Sequence, residues 1–240
     1  MFNLDNATIR HEPFTVFYIR DLLQLAFYRE LAAEFPPLSL FRLRTKLGNK
    51  YLLTESEGAA YCEFIKSSSC WRKFHEGIKS ADFKEQVLCF LRSHKVELAI
   101  PAGESADDFI ARFEFSALPG NGGSQRPHTD SPRKVVTLVL SLMREGEWSP
   151  GWGGGTSICT PRNKALYVNY RNDYLDFDEV EIVDAFPFVP NAGVMFVKTS
   201  VSWHCVTPIG LLGDSPLRKT VAISLYHRDD QHDSDNWSGC

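Results

Sequence analysis

Two stretches decide how this chain is read: Pro127-His128-Thr129-Asp130-Ser131, and, further along, Ser202-Trp203-His204-Cys205-Val206-Thr207-Pro208. Between them lies Val135-Val136-Thr137-Leu138-Val139-Leu140-Ser141-Leu142, an apolar, β-branched run of the kind that forms a buried strand. Side chains at i and i+2 of an extended strand share a face, so the spacing predicts that His128 and Asp130 project together. A second imidazole, His204, brought in by a later strand would complete a set of two histidines and one carboxylate. Such a set takes one face of a metal ion and leaves the opposite positions open. An HxD pair alone is weak evidence, because core packing and chance produce it often.

Working outward, the chain has 240 residues, 43% hydrophobic and 23% charged, which is ordinary globular composition with enough apolar content for a sizeable core. The net charge is −4 and Lys and Arg are scattered, so no nucleic-acid partner is expected. Met1-Phe2-Asn3-Leu4-Asp5 shows no positive region followed by an apolar stretch, so no signal peptide is expected. The apolar run from Val135 to Met143 is too short for a bilayer. The expectation is a cytoplasmic protein with no membrane partner. Six cysteines form no CxxC pair, which reads as reduced thiols rather than a disulfide framework or a zinc site.

Residues 1–105 read as mainly helical. Asp21 is placed as the cap of a helix running to Glu34, with Leu22, Leu25, Ala26 and Leu31 as its apolar stripe, ended by Pro36-Pro37. Further helical zones are expected over 57–78 and 82–93, then a turn at Pro101-Ala102-Gly103. From about residue 108 short strands take over: 109–115, 135–142, 155–159, 181–183, 193–198, 203–207 and 220–226. That succession, punctuated by Gly and Pro, points to a β-sandwich or jelly roll with the helices on one outer sheet face. One domain is expected over 1–240, with 106–227 as its core and 228–240 as an acidic tail.

Three companions strengthen the HxD pair. His204 sits in a strand-like segment. Arg218 opens the strand Arg218-Lys219-Thr220-Val221-Ala222-Ile223-Ser224-Leu225, with Thr220 on its face. His128 follows the turn Pro119-Gly120-Asn121-Gly122-Gly123. With Trp152-Gly153-Gly154-Gly155 and Pro190-Asn191-Ala192-Gly193-Val194-Met195-Phe196, these motifs make residues 108–227 resemble the Fe(II)/2-oxoglutarate-dependent dioxygenases, in their prolyl-hydroxylase-like branch.

The resemblance implies a mainly β fold with flanking helices, its core a double-stranded β-helix (jelly-roll, cupin-like). It implies Fe(II) held by His128, Asp130 and His204, and 2-oxoglutarate bound to Arg218 through its far carboxylate. O2 is then the second cosubstrate, and decarboxylation to succinate and CO2 is coupled to hydroxylation of a small-molecule or amino-acid-like substrate. Branch members often carry a Tyr before the Gly-rich turn that contacts the cosubstrate. Here Phe113 and Phe115 stand in that region, which leaves Thr137 or Thr220 to supply a hydroxyl. Related halogenases replace the carboxylate ligand with a small residue, and Asp130 argues against that chemistry.

Plainer readings exist for each residue. His128 and Asp130 would also serve as a strand-end hydrogen-bonded pair, His204 as a satisfied core histidine, and Arg218 as a surface ion-pair partner. Gly151-Trp152-Gly153-Gly154-Gly155 lacks the Lys-Ser/Thr of a phosphate loop and reads as a turn. Trp152 and Tyr170 are candidates for contact with substrate, Tyr170 because it lies in a long connection over 160–190 of the kind that covers sites. His227, His232 and the nearby aspartates read as a solvated tail. The rival functions are a peptide or protein hydroxylase of the same fold, and a non-catalytic cupin-like barrel. Oligomeric state is left open.

Overall fold

The computed structural model describes residues 2–55, 58–98, 105–211 and 216–228. The strands are β1 (Ala7–Arg10), β2 (Val16–Ile19), β3 (Arg42–Arg44), β4 (Lys50–Thr54), β5 (Phe109–Leu118) and β6 (Gln125–His128). They continue as β7 (Lys134–Ser141), β8 (Thr156–Pro161), β9 (Val180–Phe186), β10 (Gly193–Val197), β11 (His204–Val206) and β12 (Arg218–His227). The helices are α1 (Leu25–Ala33), α2 (Ala59–Ser67), α3 (Ser69–Lys79) and α4 (Ala81–Ser93).

Eight strands form one sheet in the order β1-β2-β10-β7-β12-β5-β4-β3, and four form a second in the order β6-β11-β8-β9. Both sheets are antiparallel. The architecture is the expected mainly β jelly roll with helices on the outer face of the large sheet. Its longest ladder pairs β5 with β12, from Arg218 opposite Leu118 to His227 opposite Phe109.

Strand alternation divides that ladder into two faces. Phe109, Ala111, Phe113 and Phe115 are buried in one core cluster with Trp71, Phe74, Ile78, Leu88 and Leu91 of the helices. Arg112, Glu114 and Ser116 face the other way, into the barrel. Helix α3 meets the sheet because Cys70, Trp71, Phe74 and Ile78 fall on one side of it. Phe115 sits at the centre of the junction, its ring centroid 4.7 Å from Trp71, 5.7 Å from Phe64, 5.9 Å from Phe35 and 6.0 Å from Tyr61.

Several expectations need correction. The first part of the chain also supplies β1–β4, which extend both edges of the large sheet. The zone 57–78 is two helices, broken at Ser68, whose backbone is extended and whose hydroxyl accepts the Trp71 N–H. Asp21 caps nothing. It lies at φ 49°, and α1 begins only after Gln24. Among the described cysteines Cys70, Cys89, Cys159 and Cys205 are free thiols, whereas Cys62 is disulfide-bonded, against the expectation of reduced thiols. The turn at 101–103 and the acidic tail beyond Arg228 lie outside the described residues. No helix among the described residues is long and apolar enough to cross a membrane.

The Pro190-Asn191-Ala192-Gly193 motif has a structural task. Asn191, at φ 56°, accepts the Leu23 N–H with its side-chain oxygen (3.0 Å) and donates to the Leu23 carbonyl (2.8 Å). One buried amide thus ties the N-terminal segment to the entry of β10, where otherwise two backbone groups would lack partners.

Phe115→Ala should remove about 3–5 kcal/mol of stability, because it leaves a cavity between the helices and the sheet. Urea unfolding of the variant checks this. A loss below about 1 kcal/mol would mean the helices are held elsewhere.

Candidate metal centre

Strand β6 ends at His128. The chain then turns, and Asp130 adopts the left-handed region at φ 69°. This corrects the expected geometry: Asp130 reaches the face of His128 from a turn beyond the strand end, not by strand alternation. Strand β11 runs beside β6 with His204 directly opposite His128, their ring centroids 4.3 Å apart. His128 Nε2 lies 3.4 Å from Asp130 Oδ1. The ligand atoms of the three buried residues all fall within 4.8 Å of one another. They are the only group of three such residues among those described.

The second nitrogen of each ring is already used. His128 Nδ1 lies 2.9 Å from the Arg126 carbonyl, and His204 Nδ1 lies 2.9 Å from the Ser202 carbonyl. A carbonyl only accepts, so both Nδ1 atoms carry the proton and both Nε2 lone pairs are left for a metal. Two imidazoles and one carboxylate gathered on a single face suit a six-coordinate ion such as Fe(II).

Electrostatics hold the ligands in their binding forms. Burial opposes ionisation of Asp130, but the Lys134 ammonium and then the two imidazoles outweigh it, and the carboxyl lies well below the usual range. Lys134 Nζ is 3.1 Å from Oδ1, and the Thr137 hydroxyl donates to Oδ2 at 2.9 Å. Burial, with His128 alongside, lowers His204 to about 3, so its imidazole is neutral as a ligand must be.

From these ligands a cavity of ≈ 70 Å³ runs along the inner face of the large sheet to Arg218, past Thr137 and Thr220. Arg218 is 4% exposed. Its Nε donates to the Gly154 carbonyl, and its guanidinium lies over the Phe188 ring at 4.5 Å. Among the described residues no carboxylate pairs with it. Burial without such a partner pulls it down to about 9, which still leaves it charged at neutral pH. Gly154 sits at φ 80°, and a Cβ there would approach Trp148 to 3.0 Å and Arg218 to 3.2 Å. The glycine run is thus the turn expected of it, and it also aims the arginine. The Thr220 hydroxyl meets Ser116 Oγ at 2.8 Å, so a pair of hydroxyls lines the wall.

Phe113 and Phe115 point into the helical core, so β5 offers no phenol to the cavity. Trp152 packs edge-on against Trp148 (5.6 Å), and Tyr170 is 75% exposed. Neither lines the cavity. The connection over 160–190 does reach the metal centre, through Tyr174. That ring stacks on His128 at 5.2 Å and 11°, and the Leu175 N–H bonds to the Pro127 carbonyl at 3.0 Å. Sequence reading missed Tyr174, Ser116 and Lys134. Only Lys134 carried a signal, a cation four places after Asp130.

Thr137→Val removes the hydrogen bond to Asp130 at nearly constant volume. It should weaken metal affinity by about 10- to 100-fold with the fold intact. Competition of Fe(II) against a calibrated chelator measures this, and an affinity within about twofold of wild type would show that Thr137 does not position the carboxylate.

No family model matches the chain, and no curated protein matches it by sequence. Solved structures do match in shape. A Pseudomonas putida prolyl-4-hydroxylase gives a TM-score of 0.50 at 19% identity, over 89% of this chain and 92% of that one. SnoN, a non-heme α-ketoglutarate-dependent epimerase from nogalamycin biosynthesis, gives 0.53 at 11% identity, over 88% and 78%. The chain shares its mainly β, jelly-roll-like fold with these two enzymes.

Proposed function

We propose that the protein is an Fe(II)- and 2-oxoglutarate-dependent dioxygenase that hydroxylates an unactivated C–H bond of a small-molecule or amino-acid-like substrate. The observation that carries this reading is Arg218: a buried guanidinium without a carboxylate partner among the described residues, at the far end of a cavity that begins at His128, Asp130 and His204. Burying a lone charge is expensive unless a counter-charge arrives. An anion that also has a metal-binding end satisfies both ends of the cavity, and 2-oxoglutarate is such an anion.

In this reading His128, Asp130 and His204 hold the iron, and Arg218 takes the far carboxylate of 2-oxoglutarate through its N–H fork. Thr220 adds a hydroxyl beside it, in place of the phenol that β5 lacks. When bound, iron and 2-oxoglutarate supply the oxidising chemistry, using O2 and releasing succinate and CO2. The protein's own groups bind, aim and shield. Gly154 orients the arginine, Lys134 and Thr137 hold the carboxylate ligand, and Phe188 keeps water from the guanidinium face. Asp130 fills the third ligand position, which favours hydroxyl over halide transfer.

Anaerobic titration of the metal-free protein with Fe(II) and then 2-oxoglutarate should produce a visible charge-transfer band. His128→Ala, Asp130→Ala and His204→Ala should lose it. Arg218→Ala should keep its iron but bind 2-oxoglutarate about 30-fold or more weakly. Bound iron without a band in wild type would instead indicate a cupin-like barrel with another ligand.

A further inference from the structure

At Arg218 the cavity has a small annex. A void of ≈ 10 Å³ shares Val139, Thr156 and Arg218 with the main cavity and is also lined by Tyr18, Ser141 and Phe188. That is room for about one oxygen-sized group.

Register places Ser141 there. On β7 it stands directly opposite Thr220 of β12, and Thr220 stands opposite Ser116 of β5. The three hydroxyl residues form a row across the large sheet, two places along β12 from Arg218. They are not equivalent. Ser116 and Thr220 bond each other at 2.8 Å. Thr137, further along β7, donates to Asp130, and Tyr18 donates to the Pro187 carbonyl at 3.1 Å. Ser141 is 3% exposed, and its Oγ has no hydrogen-bond partner among the described residues. Buried hydroxyls are normally bonded, because a bare one loses its hydration without return. The bare hydroxyl and the guanidinium thus line the same void.

We propose that Ser141 is a binding residue for the cosubstrate: its hydroxyl donates to the same far carboxylate that Arg218 takes, and one oxygen of that carboxylate fills the small void. The proposal rests on the reading of the main cavity as the iron and 2-oxoglutarate site. A carboxylate suits the place. Its two oxygens offer about four lone pairs, so the guanidinium fork and a hydroxyl can donate to it together. Thr220 can join only by sharing its hydroxyl with Ser116, whereas Ser141 gives up no other bond. This anchor comes from β7, the strand beside the one that carries Arg218. Anchors on two strands fix the plane of the carboxylate as well as its position. The void also limits length, since a 2-oxo diacid one carbon longer would have to drive its carboxylate into a space of only ≈ 10 Å³.

The experiment is an anaerobic titration of the Fe(II)-loaded protein, read through the charge-transfer band. One ligand is 2-oxoglutarate. Another is 2-oxopentanoate, which keeps the metal-binding end and the five carbons but ends in a methyl group. The third is 2-oxoadipate, one carbon longer than 2-oxoglutarate.

Ser141→Ala should bind 2-oxoglutarate about 10-fold or more weakly, and 2-oxopentanoate within about twofold of wild type. Its iron affinity, measured against a calibrated chelator, should not change. Ser141→Cys, close in size but a weak donor, should fall between the two for 2-oxoglutarate. Wild type should bind 2-oxoadipate about 10-fold more weakly than 2-oxoglutarate, an arm that needs no variant to fold. Unchanged 2-oxoglutarate affinity in Ser141→Ala, an equal loss for 2-oxoglutarate and 2-oxopentanoate, or 2-oxoadipate bound as tightly as 2-oxoglutarate would overturn this proposal and leave the oxygenase reading standing. A missing band in wild type would overturn both.

Discussion

The structure depends on the alternation of side chains along the β5–β12 ladder. One set of residues, Phe109 to Phe115 at every second place, anchors the helices. The intervening set, Arg112, Glu114 and Ser116, faces Thr220, Ala222 and Ser224 inside the barrel. A slip of one residue would exchange the sets, burying charges under α3 and filling the barrel with phenyl rings. The same ladder therefore fixes where the helices dock and where the polar interior lies. The edge pairings, including β2 with β10, add area to a frame already set.

Inside that frame the charges form a sequence along the strands. Arg218 stands at one end, with no carboxylate partner among the described residues. Asp130 carries Lys134 in the middle, and Glu114 carries Lys50 beside it. Arg112 lies beyond them. Buried pairs contribute little net stability, because desolvation offsets much of their attraction. Their value here is positional. Each pair leaves a known charge at a known depth, and on the proposed reading Arg218 takes its counter-charge from the ligand.

Much of this was legible in the chain, for reasons of period and spacing. Every strand expected between residues 109 and 226 exists, because β-branched and aromatic residues cluster there between Gly and Pro. His128, His204 and Arg218 were visible as polar residues in otherwise strand-like surroundings. Asp130 was found for a partly mistaken reason, since the turn that carries it at φ 69° has no local signature beyond a tolerant residue type. Strands β1–β4 escaped notice because they span only 3–5 residues and form two short hairpins that join the sheet through distant partners, β2 on β10 and β4 on β5. The same holds for Tyr174: nothing in its neighbourhood announces that its ring will cover His128. Contacts made across the fold are settled by register, which is a property of the whole sheet.

The carbonyl of Gly154 has a kinetic consequence. Arginines that wait for an anion are often parked on a carboxylate, and an incoming ligand must then displace that partner. Arg218 is parked on a neutral backbone oxygen instead. On the proposed reading, an anion entering the barrel meets a positive charge with no ion pair to break among the described residues, so its arrival is governed by the route in and by the field along it. Departure carries the whole burden of leaving a bare charge behind. On the proposed reading, such a site captures an anion quickly and releases it slowly, through a position whose φ of 80° favours glycine.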